Sequence, residues 1–331
     1  MDLVDSRVRT RVDVARARDA LDKLETGFGQ GVIGQESLRR NLIIALIAEG
    51  HVLLESLPGL AKTTAVRTLA ATVGLDFGRV QCTPDLLPSD ITGTEIYTQA
   101  QNAFDTKLGP VHTNFLLLDE INRSSAKTQS AMLEAMQEGQ TTIGGVVHRL
   151  PKPFLVVATQ NPIEQEGTYV LPEAQLDRFL LKEIVRYPDV ADEFEMLRRI
   201  RDGALSAPSA PALTRDDVLF LQGAARAVHV DDTVLRYALT IVSATRGATS
   251  YLGDQARYVA AGASPRAGIA FVSAARARAL MMGRDHVLPE DVKALAHPVL
   301  RHRLSLTFDA ELDGVSVEDV IDAVVAAVQT P

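Results

Sequence analysis

Two hydrophobic patterns divide the chain near residue 187. Before it, short runs of consecutive apolar residues that end in polar groups alternate with stretches whose apolar positions recur every three or four residues. The first pattern marks strands buried on both faces of a parallel sheet, and the second marks helices covering that sheet. Strands are predicted at Val52 to Leu54, Phe77 to Cys82, Phe115 to Leu118, Phe154 to Ala158 and Leu180 to Val185. Helices are predicted at Ser37 to Glu49, at Lys62 to Val73 with Gly74 as its stop, and from a Ser124 or Ser125 cap to Glu138 with Gly139 as its stop. A short helix starts near Pro172. Charged residues interleaved with Val8, Val12, Val14, Ala17, Leu21 and Leu24 predict a helical segment over 1–29. Two excursions interrupt the alternation: Glu95 to Leu108, and Thr141 to His148 with its Gly144-Gly145 turn, both read as hairpins.

After Tyr187-Pro188 no further buried strand is obvious and helical patterns run to the end. Thr214 caps a helix over Asp216 to Val228, Asp232 to Arg246 forms another, Pro265 opens one through Leu280, and Pro289 opens one through Leu295. Ala204 to Ala212 and Gly167-Thr168-Tyr169 are read as loops. The expected organisation is a helical segment at 1–29, an α/β core at 30–187 and a smaller all-helical domain at 188–331.

Composition narrows the function classes. With 34 Lys and Arg against 42 Asp and Glu, the formal charge is −8, and no long basic block offers a nucleic-acid surface. No apolar run approaches the roughly 20 residues of a membrane span, and Met1 to Thr10 lacks an apolar signal core, so a cytoplasmic protein is expected. A single cysteine, Cys82, excludes an intramolecular disulfide and reads as a small apolar residue at a strand end. Seven scattered histidines without a His-Glu-x-x-His or Cys/His cluster argue against zinc, and no Gly-x-Ser-x-Gly elbow is present.

The candidate chemistry lies where strands end. The stretch Leu53 to Thr64 runs from an apolar strand through a Pro58-Gly59 turn into a helix carrying Lys62, Thr63 and Thr64. This is the requirement for a triphosphate: inward-facing backbone N–H groups, a helix N-terminus, a lysine and a hydroxyl for magnesium. Ser56 and Ala61 occupy the two glycine positions of G-x-x-x-x-G-K-[ST], and a left-handed backbone at either would cost roughly 1–2 kcal/mol. Alone, the stretch fits an ordinary strand-turn-helix connection equally well. Asp119 and Glu120, however, close the strand Phe115 to Leu118, and parallel strands deliver such residues to one edge. Asp119 suits magnesium and Glu120 the attacking water, so nucleoside-triphosphate hydrolysis becomes the leading expectation. Asn161, after the strand Phe154 to Ala158, reaches the same edge.

The chain also resembles the MoxR family of AAA+ ATPases from about Val32 to Leu304. The resemblance rests on Thr83-Pro84-Asp85-Leu86-Leu87-Pro88-Ser89-Asp90, Asp119-Glu120-Ile121-Asn122-Arg123, Leu133 to Gly139, Ala158 to Pro162 and Glu173-Ala174-Gln175-Leu176-Asp177-Arg178-Phe179. It implies a P-loop core of parallel sheet flanked by helices, followed by a helical lid. It also implies ATP and Mg2+ as ligands, a hexameric ring, and a protein client, possibly a von Willebrand factor A domain protein. By this resemblance Gly59, Leu60, Ala61, Lys62, Thr63 and Thr64, with Pro58, belong to Walker A, and Asp119 and Glu120 to Walker B. Asn161 matches sensor 1, Arg178 the arginine finger and Arg266 sensor 2. Ile33 and Gly34, in Ile33-Gly34-Gln35, resemble the segment along the adenine, and Glu95 to Leu108 the helix-2 insert. A chaperone-like remodeller is the expected role; a nucleotide-gated scaffold with little hydrolysis, supported by Ser56 alone, and a DNA-acting motor are the competing ones.

Overall fold

The computed structural model describes residues 12–331 except 58, 100–101, 163–168, 170, 205–207 and 209. Its centre is a five-stranded parallel sheet. Among the described residues nine strands precede residue 187: β1 (Val52–Ser56), β2 (Phe77–Gln81), β3 (Gly93–Thr98), β4 (Ala103–Leu108), β5 (Phe115–Asp119), β6 (Gln140–Ile143), β7 (Val146–Arg149), β8 (Leu155–Gln160) and β9 (Leu181–Val185). The main sheet has the order β2-β5-β8-β1-β9, with every pairing parallel. All carboxyl ends therefore share one edge.

Alternation along the central strands explains why they read as unbroken apolar runs. Leu54, Phe115, Leu117, Leu155 and Val157 face one core, and Leu53, Leu116, Leu118, Val156 and Ala158 face the other. Each is buried, contributing about 1.5–3 kcal/mol for a large apolar side chain. The first core is closed by α1 (Val14–Gly31), α2 (Glu36–Ile47) and α3 (Lys62–Thr72). Following the short α4 (Pro88–Thr92), α5 (Ala126–Glu138) closes the second, inserting Met132, Leu133 and Met136. Ser125 caps α5 by accepting from the Thr128 amide, and Gly139 ends it at φ 61°.

The hairpins β3–β4 and β6–β7 stand off the main sheet as separate antiparallel pairs. Gly144 and Gly145, at φ 56° and 81°, make the tight turn of the second. The hairpins meet where Gly144 lies against the Glu95 carboxylate.

A one-turn helix, α6 (Glu173–Leu176), precedes β9. Beyond it come α7 (Val190–Arg201), α8 (Arg215–Ala227), α9 (Asp232–Arg246), α10 (Ala248–Leu252), α11 (Pro265–Met281), α12 (Pro289–Ala294), α13 (Ala296–Leu300), α14 (Phe308–Leu312) and α15 (Val317–Ala327). This helical part also holds a small antiparallel ladder of β10 (Val259–Ala261) and β11 (Ser305–Leu306). Its strands have three and two residues, too short to leave a periodicity in the sequence. The lid packs on α1 and α2 through a core continuous with that under the sheet, where Phe271 and Leu280 of α11 join Leu42 and Ile44 of α2. No helix among the described residues is long and apolar enough to cross a membrane. Cys82 is buried beside Ser124, and burial pushes its thiol up to about 12, as an inert apolar residue requires.

Candidate active site

The loop that leaves β1 enters α3 at Lys62. Gly59 turns at φ 84°, where an added Cβ would meet nothing, and Ala61 at φ 53° is left-handed. Ser56 is not left-handed; its buried hydroxyl donates to the Leu57 carbonyl at 3.0 Å. Of the two residues replacing glycine, only Ala61 thus carries the left-handed cost of about 1–2 kcal/mol. Leu60 is buried in the first core and anchors the turn, while Pro58 lies outside the described residues. The Lys62 ammonium reaches back over the loop, donating to the carbonyls of Ser56 and Leu57 at 3.5 and 3.4 Å. Partial burial lowers its pKa, and the charges of Asp119 and Glu120 oppose that shift. Thr63 is half-buried and Thr64 exposed, both in the first turn of α3.

The two carboxylates are held by neighbouring strands. Asp119, buried at the end of β5, accepts from Arg79 Nε at 2.6 Å and from the Thr159 hydroxyl at 3.3 Å. Thr159 in turn accepts the Glu120 amide at 2.9 Å, so one hydroxyl fixes both acids. Glu120 has left-handed backbone, φ 56°, and pairs with Arg123 at 3.2 Å. Ala61 and Glu120 are two of five left-handed non-glycine residues among those described, the others being Gln35, Glu49 and Asn102; such backbone persists where the surroundings hold it. Asn161 is buried just past β8, at the same edge.

Ile33, half-buried, and Gly34 precede α2 at this edge too. Gln35 donates its amide to the Arg186 carbonyl at 2.8 Å, just beyond β9. Gly34, at φ 62°, packs so closely on α7 that an added Cβ would come 2.3 Å from Asp192 Oδ2.

The structure thus gathers Ile33, Gly34, Gly59 to Thr64, Asp119, Glu120 and Asn161 along the carboxyl edge. It does not bring Arg178 or Arg266 there. Arg178 precedes β9, at the amino edge, and Arg266 begins α11; both line a cleft of about 380 Å³ with Gln137, Ile269 and Ser273. A five-residue strand, roughly 13–16 Å, separates that edge from Lys62.

A hard-oxygen set of the Asp119 carboxylate and the Thr63 hydroxyl fits Mg2+, which takes one or two protein ligands and completes its shell from phosphate and water. No cluster of three His, Cys, Asp or Glu able to hold a metal occurs among the described residues. Sequence reasoning overlooked Arg79 and Thr159. Both follow from parallel register, which pairs Gln81 with Asp119 and Leu118 with Ala158, placing Arg79 and Thr159 within reach of the acids.

Residues 51–181 match the model of the ATPase family associated with various cellular activities, and residues 254–324 match an AAA lid domain. The chain is 49% identical over 301 residues to Chaperone MoxR1 of Mycobacterium tuberculosis, covering 91% of this chain and 79% of that protein. To Protein MoxR of Paracoccus denitrificans it is 31% identical, covering 96% and 97% respectively. A crystal structure from Cytophaga hutchinsonii, described as a candidate ATPase, is 44% identical with a TM-score of 0.90, covering 96% of this chain and 97% of that one.

Proposed function

Because the chain belongs to the MoxR family of AAA+ ATPases, we propose that it hydrolyses ATP with Mg2+ at sites shared between neighbouring copies of a ring, and uses the cycle to remodel a protein partner. The observation that carries this reading is the split of the charged groups: the phosphate loop and both acids lie at one edge of the sheet, and Arg178 and Arg266 at the other. One copy cannot bring both sets to one nucleotide; two copies in a head-to-tail arrangement can, and such contacts close into rings.

Within each site, the N–H groups of Gly59 to Thr63 and the Lys62 ammonium hold the phosphates, and Ile33 and Gly34 lie along the base. Asp119 and Thr63 would hold Mg2+, which neutralises charge on the phosphate oxygens. Glu120 accepts the proton of the attacking water, Asn161 orients that water, and Arg178 of the next copy stabilises charge on the transferring phosphoryl. Arg79 pairs with Asp119 at 2.6 Å, so Asp119 would have to give up that cation to serve as a magnesium ligand.

The neighbour also has a surface to cover. On α7, Val190, Phe194, Leu197 and Ile200 are 83%, 69%, 61% and 55% exposed and form one apolar stripe. α7 packs on Gly34 through Asp192 and turns the stripe to the other side, leaving it open to the incoming copy. Phe194→Asp is expected to shift the assembly toward monomer in sedimentation velocity and to lower turnover in parallel; an unchanged assembly would remove α7 from the interface.

Ile96, Tyr97 and Phe104 of the first hairpin and Val146 and Val147 of the second are exposed and offer an apolar grip for a client chain. A ring of six with these hairpins toward its channel, and a client such as a von Willebrand factor A domain protein, follow the family resemblance. The acidic balance favours protein over nucleic acid as that client.

The test is ATP turnover per subunit across a range of protein concentrations, with Glu120→Gln as the blank. Turnover should rise with concentration and saturate as the shared sites form. A per-subunit rate above the blank that is constant from the most dilute sample would mean that each copy works alone.

A further inference from the structure

The two arginines of the cleft are joined through a polar cluster between core and lid. Asp177, next to Arg178, accepts from Ser264 Oγ at Oδ2 (2.6 Å) and from Arg303 Nε at Oδ1 (2.8 Å). Ser264 is the N-cap of α11, and its Oγ accepts the Arg266 amide at 3.1 Å. One hydroxyl therefore ties the residue before Arg178 to the amide of Arg266. Arg303, its side chain only 2% exposed, donates further to the carbonyls of Phe179 (2.6 Å), Leu180 (3.3 Å) and Asp177 (3.4 Å), and to that of Val299. His302, which burial keeps neutral, sits 3.0 Å from the Phe179 carbonyl through Nε2. Carbonyls on both sides of Arg178 are thus gripped by the lid, while Arg178 Nε is buried without a hydrogen-bond partner.

A lid can be cemented to a core by apolar contact alone, as α11 already is through Phe271. Burying a guanidinium is costly unless geometry is excellent, and what such a group adds is a defined arrangement rather than net stability. Here the arrangement it defines is the backbone on either side of one arginine and the start of the helix carrying another. We propose that Asp177, Ser264 and Arg303 are positioning residues that hold Arg178 and Arg266 as a single paired unit for the triphosphate of the adjoining copy. This rests on the shared-site reading above. Through this clasp the lid of one subunit sets the charge presented to the next, so a lid shift in one copy reaches the adjacent site without passing through its own phosphate loop.

Arg303 is too deeply buried for its removal to be diagnostic, so the test uses Ser264→Ala and Ser264→Thr in the full chain. Ser264→Ala should lower kcat about tenfold or more at saturating ATP with nucleotide binding unchanged, and Ser264→Thr, which keeps the hydroxyl, should stay within about twofold of the parent. Mixing provides a readout that a structural role would not move. Ser264→Ala keeps its phosphate loop, and Lys62→Ala keeps its arginines, so mixed assemblies should regain turnover above that of either variant alone. Recovery by an Arg178→Ala and Lys62→Ala mixture, without recovery by the Ser264→Ala mixture, would overturn the clasp and leave the shared site standing. Recovery by neither would overturn both. Asp177→Asn, which withdraws the carboxylate from Arg303, should behave as Ser264→Ala does; parent-like kcat in both variants would also overturn the clasp.

Discussion

Arg178→Ala is expected to bind ATP with unchanged affinity and to turn it over about 10³–10⁵-fold more slowly, the range for an arginine that stabilises a transferring phosphoryl group. The two halves of this result have separate origins. Binding is unchanged because Arg178 sits at the amino edge, with Gln137, Ile269 and Ser273, and touches nothing in its own phosphate loop. Turnover falls, on the shared-site proposal, because its guanidinium is supplied to the adjoining copy. Mixing the variant with Lys62→Ala, itself expected not to bind nucleotide, should restore activity, since a phosphate loop from the first then faces an arginine from the second. Two inactive proteins that remain inactive after forming mixed oligomers would show that Arg178 does not act across the interface. Full activity of Arg178→Ala alone would dismiss it from the chemistry.

The sequence exposed the carboxyl edge of the sheet far better than the amino edge. Phe115 to Leu118 followed by Asp119-Glu120, and Val52 to Leu54 followed by the Lys62 loop, each combine an apolar strand with polar residues at its end; parallel pairing does the rest. The five strands and the helices covering them were legible for the same reason, because burial on two faces leaves unbroken apolar runs. Arg178 and Arg266 were legible only as residue types within family-like motifs. Their shared cleft depends on how α11 returns across α2 to the amino edge, a long-range packing choice that no local pattern encodes. The same holds for Arg303, which in sequence is one arginine among Arg301-His302-Arg303, and for the Thr159 hydroxyl, whose role exists only once β5 and β8 are in register. The exposed stripe of α7 reads as an ordinary amphipathic helix, since periodicity reports an apolar face and not what covers it.

Glu120→Gln should bind ATP as the parent chain does and lose about 10²–10⁴-fold in turnover, the range for removing a general base. Its backbone would stay in place, because the amide of residue 120 is held by Thr159 and not by its own carboxylate. The charge facing Arg123 disappears, but that pair is partly solvent-exposed and contributes little to stability. What remains is a site with its lysine, Asp119 and Thr63 intact and no acceptor for the proton of water, so the variant should accumulate in the ATP-bound state. That makes it the reference against which the parent chain's own rate acquires meaning. Turnover by Glu120→Gln close to the parent's, with both well above a Lys62→Ala blank, would dismiss Glu120 as the base and leave Asp119 and Asn161 to position the water. If parent and variant instead both stay at the Lys62→Ala level at every concentration while ATP binds to each, the chain is a nucleotide-gated scaffold, whose assembly and not whose hydrolysis is what ATP controls. The Ser56 geometry lends that outcome no support, because the serine in the first glycine position is not left-handed and its hydroxyl is satisfied within the loop.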